Sequence, residues 1–194
     1  MDAVSSLRQE FPALGLTAGF AAPETRALYA DLMLLWLEMN RARSANETLI
    51  AAARMTWWRD AIDQHSPEGV PLATRLLAYP SLDRAALVQS LTALIDLTLH
   101  ADPENRAEAD NKAHLVFGQI LSSAFGCDAT AAGQVMIRLK ASLSGAPRDI
   151  PINDAGLPKP LRLVAWLADD PARLHYPEAK PMLALSMMMA AFRI

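Results

Sequence analysis

The sequence predicts an all-α protein folded as a single domain, and three observations carry that prediction. Apolar residues recur three and four apart through successive segments, as in Leu28, Leu32, Leu35 and Met39. Prolines and Asx or Ser caps divide the chain into pieces of helix length. No stretch alternates apolar with polar residues in the β-branched-rich manner of a strand. At 194 residues, 52% hydrophobic and 20% charged, the chain has the apolar content for one real core and is not the composition of a disordered polymer.

In chain order, residues 1–22 read as a less ordered N-terminal segment ahead of the helices. Pro23-Glu24-Thr25 places proline and acid in a first turn, opening a helix to about Met39. Asn46 and Glu47 start the next, with Leu49, Ile50, Ala53, Trp57 and Ala61 expected on its core side. It stops before His65-Ser66-Pro67 and the turn at Gly69. A short helix over Leu72–Tyr79 ends at Pro80, and Ser81 is expected to cap the following one, carrying Leu87, Leu91, Leu94, Ile95 and Leu99. Asp102-Pro103-Glu104 is a cap, a proline and an acid in the order that starts a helix; that helix runs to Phe125 and closes at Gly126. Asp128 opens another that ends at Ser144-Gly145. Four prolines make Pro147–Pro160 an irregular connection, and helices over Leu161–Asp169 and Glu178–Phe192 finish the fold.

Charge and cysteine content exclude several functions. A net charge of −3 with scattered basic residues, the nearest cluster being Arg41, Arg43 and Arg54, argues against nucleic acid as a partner. Cys127 stands alone, so neither a disulfide framework nor a thiolate metal cage is expected. The first twelve residues lack a basic stretch followed by an apolar one, so no secretory signal is read there. The uncharged run Pro181–Phe192 is about half of the roughly 20 residues a membrane span needs. The expectation is a cytoplasmic protein without a transmembrane segment, with any membrane contact peripheral.

Catalytic constellations are sparse. Glu104/Glu108, Glu108/Asp110 and Asp169/Asp170 are candidate acid pairs; dipole complementarity accounts for the first, and loop solvation for the last, better than a cation does. Histidines 65, 100, 114 and 175 share no ligand spacing. Gly15 and Gly19 form no phosphate loop. Ser5, Ser6 and Cys127 have no neighbouring base. The most distinctive string is Arg54-Met55-Thr56-Trp57-Trp58-Arg59-Asp60-Ala61-Ile62. On periodicity alone Trp57 faces the core, Trp58 lies at the flank with an N–H seeking a partner, and Arg59 and Asp60 point to different sides. Near the end, four of nine methionines, Met182, Met187, Met188 and Met189, fall in the last thirteen residues. Thioethers fill irregular core gaps and also suit adaptable binding faces, so this helix is either buried on most sides or presents Met188 and Met189 as an interface.

With its surroundings, the tryptophan string resembles the squalene/phytoene synthase family, in the divergent branch related to mitochondrial respiratory complex I assembly factors. That branch has an "ALYA" helix, an "RxxWWRDAL"-like segment and a "P…L" helix. The matching residues are Ala27-Leu28-Tyr29-Ala30, Arg54 to Ile62, and Pro71-Leu72 onward. Leu94-Ile95-Asp96-Leu97 is similar to the "LIDAR" region and Ala113–Gly126 to a "TAGALLRLAARALG" helix. The resemblance covers residues 24–144 and implies a trimmed terpenoid-synthase (isoprenoid synthase) bundle. Active members hold Mg²⁺ and two prenyl diphosphates between two aspartate-rich helices, a task that needs several carboxylates. Here the first motif's acidic positions fall near Trp36, Leu37 and Asn40, and Glu38 is the one acid. The second should lie in Gly133–Leu143, which contains none; Asp149 follows in the irregular connection.

The resemblance therefore implies no catalytic, cofactor-binding or metal residue. It marks Tyr29, Arg54, Trp57, Trp58, Arg59 and Asp60 as family-motif or interface residues, beside Met188 and Met189. The expected function is that of a pseudoenzyme, a non-catalytic binding or assembly factor for a respiratory-type complex, with a protein partner and room for a prenyl or other hydrophobic ligand. The alternatives are a degenerate head-to-head prenyltransferase, with Mg²⁺ as its cofactor, and an accessory subunit of an active synthase.

Overall fold

A computed structural model describes residues 2–45, 47–64, 69–100, 106–145, 150–174 and 181–193. Among them every regular element is helical and there is no strand. In chain order the helices are α1 (Ala3–Glu10), α2 (Pro12–Thr17), a 3₁₀ turn (Ala18–Phe20), α3 (Arg26–Arg43), α4 (Thr48–Asp63), α5 (Pro71–Leu77), α6 (Arg84–Leu99), α7 (Arg106–Phe125), α8 (Ala129–Leu143), α9 (Lys159–Ala168), α10 (Pro171–Leu174) and α11 (Pro181–Arg193). No helix among the described residues is long and apolar enough to cross a membrane.

Local chemistry accounts for most boundaries. Asp2, Asp83 and Asp128 cap α1, α6 and α8 by accepting from the backbone N–H three residues on. Asp83 thus takes the role expected of Ser81: the segment after Pro80 turns first, and the carboxylate stands where the free N–H groups begin. Gly126 and Gly145 close α7 and α8 with φ of 64° and 69°, a left-handed conformation that a side chain disfavours. Helix α3 starts at Arg26 rather than Pro23, because residues 23–25 form a turn, and it continues to Arg43, well past Met39. The expected start signals at Asn46 and Asp102-Pro103-Glu104, and the stretch from Glu178 to Lys180, lie outside the described residues.

Residues 3–20 depart from the expectation of a less ordered segment. They form α1, α2 and the 3₁₀ turn, with Ala3, Leu7, Ala13, Leu14, Thr17 and Ala18 buried. Two six- to eight-residue helices hold too few repeats for periodicity to register. What fixes them is tertiary contact. Gly15 lets the two pack backbone to backbone, since a Cβ there would stand 2.6 Å from Arg8 Cα, and α1 packs along α3.

Helix α3 is the centre of the molecule. Leu28 to Leu37 is buried without interruption, followed by Met39 and Ala42, so it is enclosed on all sides rather than amphipathic. Within that run sits Asp31, fully buried. Its carboxylate accepts from Arg75 Nε at 2.9 and 3.1 Å, Arg75 Nη2 at 2.8 Å and the Tyr79 hydroxyl at 2.8 Å. A buried carboxylate is tolerable only when paired and hydrogen-bonded in this way. Hydrogen bonding to Asp31 raises the Arg75 pKa, and burial followed by the Asp31 bond raises that of Tyr79.

The most extensive helix–helix contact joins α7 to α8, and two glycines set its distance. A Cβ at Gly118 would lie 2.3 Å from Ala129 O, and one at Gly133 2.8 Å from Leu115 Cα. Helix α8 in turn packs on α9, where Ser142 Oγ donates to Ala168 O.

Replacing Asp31 with alanine leaves the Arg75 guanidinium without its acceptor. The expected loss is about 3–5 kcal/mol of stability, the range for breaking a buried pair from one side. The Asp31→Leu/Arg75→Met double variant should lose clearly less than the sum of the two single changes. Urea unfolding of the four proteins checks both statements; strict additivity would mean that the two groups are not coupled.

Candidate functional site

The conspicuous concavity is an open groove of about 640 Å³ between α3 and α4. Glu38, Arg41 and Ala42 form one wall; Ile50, Ala53, Arg54, Trp57 and Trp58 form the other. A second groove of about 450 Å³ reaches α1 and α5 and shares Glu38 and Trp58 with the first, so the two adjoin.

Helix α4 is rotated relative to the expected phase. Its core stripe is Ala51, Met55, Trp58 and Ile62, flanked by Ala52 and Ala61. Trp58 is 8% exposed and Trp57 53%, and Leu49, Ile50 and Ala53 face outward. The periodicity was ambiguous because alanines at 51, 52, 53 and 61 fit either face. Packing of α4 against α6, α3 and α5 buries the stripe that carries Met55 and Ile62. The two indoles meet edge to face, with centroids 5.4 Å apart and planes at 80°, so the buried Trp58 supports the exposed one.

Charges on the groove are unevenly committed. Arg41 bridges Glu10 of α1 and Glu38, whose carboxylate accepts from Arg41 Nη1 at 2.7 Å. Partial burial raises the Glu38 pKa. Arg54 is exposed and makes no ion pair among the described residues. Arg59 and Asp60, expected to diverge, instead pair with each other: Arg59 Nε and Nη2 donate to Asp60 Oδ1 at 2.9 and 2.7 Å. The flexible guanidinium reaches back across the single-residue step.

Of the residues singled out from sequence, the groove gathers Arg54, Trp57, Trp58 and Glu38. Tyr29 belongs to the core: it is fully buried, its hydroxyl 2.7 Å from Thr17 Oγ1 and its ring 6.2 Å from that of Phe125. Met188 and Met189 line neither groove. They stand about half exposed with Leu185, while Leu183, Met187, Ala190 and Ala191 make the buried side of α11. That helix is therefore two-faced; the side chain of Met182 lies outside the described ones.

At the positions that the sequence resemblance assigns to metal ligands, the side chains do not fit Mg²⁺. Trp36 is buried and donates from Nε1 to His114 Nδ1 at 3.4 Å, Leu37 is buried, and Asn40 Nδ2 donates to Trp36 O at 2.8 Å. On α8, Val135, Met136, Ile137 and Leu139 form an apolar wall. Elsewhere Glu108 pairs with Lys112, Asp110 with Arg43, Asp169 with Arg138 and Asp170 with Arg173. Among the described residues no three metal-binding side chains converge. His65, His175, Glu104 and Asp149 lie outside the described residues.

Sequence reasoning missed two features. Asp31 was detectable as the single charge inside Leu28–Leu37, which in an enclosed helix demands a distant cation. The Trp36–His114 contact joins residues 78 apart in sequence and leaves no local signal. Burial, with Arg43 and Lys140 nearby and against the pull of Asp110, lowers the His114 pKa to about 4.

Two predictions follow from this geometry. Trp58→Ala should cost about 3–5 kcal/mol, as for emptying a buried aromatic site, whereas Trp57→Ala should stay within about 1 kcal/mol; equal losses in thermal unfolding would contradict the burial assignments. For His114, the unfolded chain takes up a proton near 6.5 and the folded one near 4. Stability is thus full above about pH 6.5 and falls as pH drops towards 4, by on the order of 3 kcal/mol. His114→Gln should flatten that part of the stability–pH curve, and an unchanged slope would show that other groups carry it.

No family model, curated protein or solved structure matches the chain.

Proposed function

We propose that the chain is a non-catalytic binding or assembly factor whose protein partner docks on the α3–α4 groove. The observation that carries this reading is Trp57, a large aromatic 53% exposed at the edge of an apolar-lined groove. Exposed tryptophans beside concave apolar surface are characteristic binding anchors. Ile50 extends the apolar strip, and Arg54 places an uncommitted cation beside it, favouring a partner segment with apolar residues and an acidic neighbour. Met188 and Met189 on α11 offer a second adaptable face. Because the sequence resembles the complex I assembly-factor branch, a respiratory-type complex is the partner to test first.

The rival reading is a degenerate prenyltransferase, which an apolar groove flanked by Arg41 and Arg54 leaves open as a binder of a hydrophobic ligand. The residues at the expected metal positions count against turnover.

Affinity purification from the source cells, followed by mass spectrometry, tests the proposal. Trp57→Ala with Arg54→Glu should reduce recovery of the specific partner about tenfold or more, the scale of losing an interface tryptophan, with the melting temperature near that of the unaltered protein. Undiminished recovery would sink the groove as the docking site. A synthase as the partner would identify an accessory subunit instead. In the same preparation, squalene or phytoene formed from farnesyl or geranylgeranyl diphosphate with Mg²⁺ above a no-protein blank would overturn the non-catalytic reading.

A further inference from the structure

The two adjoining grooves make one trough along α3. Leu34 and Glu38 line the smaller groove from that helix, and Glu38, Arg41 and Ala42 the larger. These positions fall on one stripe of α3, two turns or about 12 Å long. From α4, Ile50, Ala53, Arg54 and Trp57 line the trough at the i, i+3, i+4, i+7 spacing with which one helix meets another. This face lies beside the core stripe of α4, and all four of its residues are exposed.

The walls decide the conformation of what fits. They are built from helices, whose backbone N–H and C=O groups are bonded within themselves. An extended segment laid against them would find no strand edge and would bury unpaired backbone groups. A helix brings its own backbone hydrogen bonds, and Ala42 and Ala53 leave room for its side chains between the bulkier Ile50 and Trp57.

The charges that line the trough then select the helix. Arg75 is neutralised by Asp31. Glu10 and Glu38 share the guanidinium of Arg41, so two carboxylates face one cation and the side towards α1 keeps a negative charge. Along α4, Arg54 is exposed and makes no ion pair among the described residues. The excess is thus positive on one edge and negative on the other. A second copy of this chain would offer α11, whose exposed face carries Leu185, Met188 and Met189. That helix, Pro181–Arg193, contains no acid to meet Arg54, so self-association is the poorer fit.

We propose, on the reading that the grooves are the docking surface, that the occupant is an amphipathic helix of a different protein, lying along α3 with an acidic residue on the flank facing Arg54 and a basic residue on the flank facing Glu10 and Glu38.

Site-specific photo-crosslinking in the source cells tests it. Full chains carrying Ile50→p-benzoylphenylalanine in the larger groove, or Leu72→p-benzoylphenylalanine in the smaller, are irradiated, and the captured peptides are sequenced by mass spectrometry. Both positions should capture one partner segment with apolar residues three and four apart and with acid and base on opposite flanks. An isotope-labelled synthetic copy of that segment should take helical Cα chemical shifts when the unaltered protein is added. Arg54→Glu should weaken its binding about tenfold, and exchanging the peptide's acid for lysine should restore it. Glu10→Lys, with the peptide's base exchanged for glutamate, repeats the charge swap on the other edge. Capture of no partner segment would overturn the docking surface itself and the helix with it. A captured segment that gains no helix, or whose binding neither charge reversal alters, would overturn the helix and leave the docking surface standing. Crosslinks to α11 of a second copy would overturn the proposal in favour of self-association.

Discussion

A carboxylate stands in the middle of a helix enclosed on all sides, and much of the architecture follows from satisfying it. Asp31 holds Arg75 and Tyr79 against α3, which anchors α5 and the turn after it. Two further polar contacts leave the same helix, Tyr29 to Thr17 of α2 and Trp36 to His114 of α7. Apolar packing is non-directional, and a helix buried all round could rotate among several arrangements of similar burial. Three polar contacts to three different elements remove that freedom, because each rotation would strand a buried group. Arg75 also reaches the second groove while it holds Asp31, so the pairing that fixes the core lies directly beneath part of that groove.

A second constraint acts between α7 and α8. At Gly118 and Gly133 the backbones approach too closely for any Cβ, which fixes the register of the pair. Towards the start of α7 the glycines give way to Asp110, Asn111 and His114, facing Lys140 and Ser144. Side chains then hold the helices apart, and a small polar cavity occupies that space. Its existence is a consequence of where along the pair the small residues stop.

The fold class and most helices were legible because proline, Asx caps and terminal glycines act locally. Asp128, Gly126 and Gly145 each do in the structure what their position in the sequence predicts. What was illegible depends on partners distant in the chain. Helices α1 and α2 are too short to show a period, and contact with each other and with α3 orders them. The phase of α4 could not be read because its alanines are indifferent to which face is buried; consequently Trp57 and Trp58 exchanged roles between expectation and structure. The same ambiguity concealed the groove, since the exposed Trp57 forms part of its wall.

The placement of Trp36 connects the core to the functional proposal. A helix that gathers metal ions between itself and a facing helix must direct carboxylates inward, and α3 directs Trp36 and Leu37 inward instead. Its remaining acid in that region, Glu38, is turned towards Arg41 on the rim. An interior filled with indole and aliphatic side chains contributes packing energy but offers no ligand for a hard cation. Past the enclosed run, Glu38, Arg41 and Ala42 of α3 and the neighbouring face of α4 line the open groove. That division, a sealed interior and an open groove carrying Trp57 and Arg54, is the physical support for the proposal that this chain binds a partner on its surface.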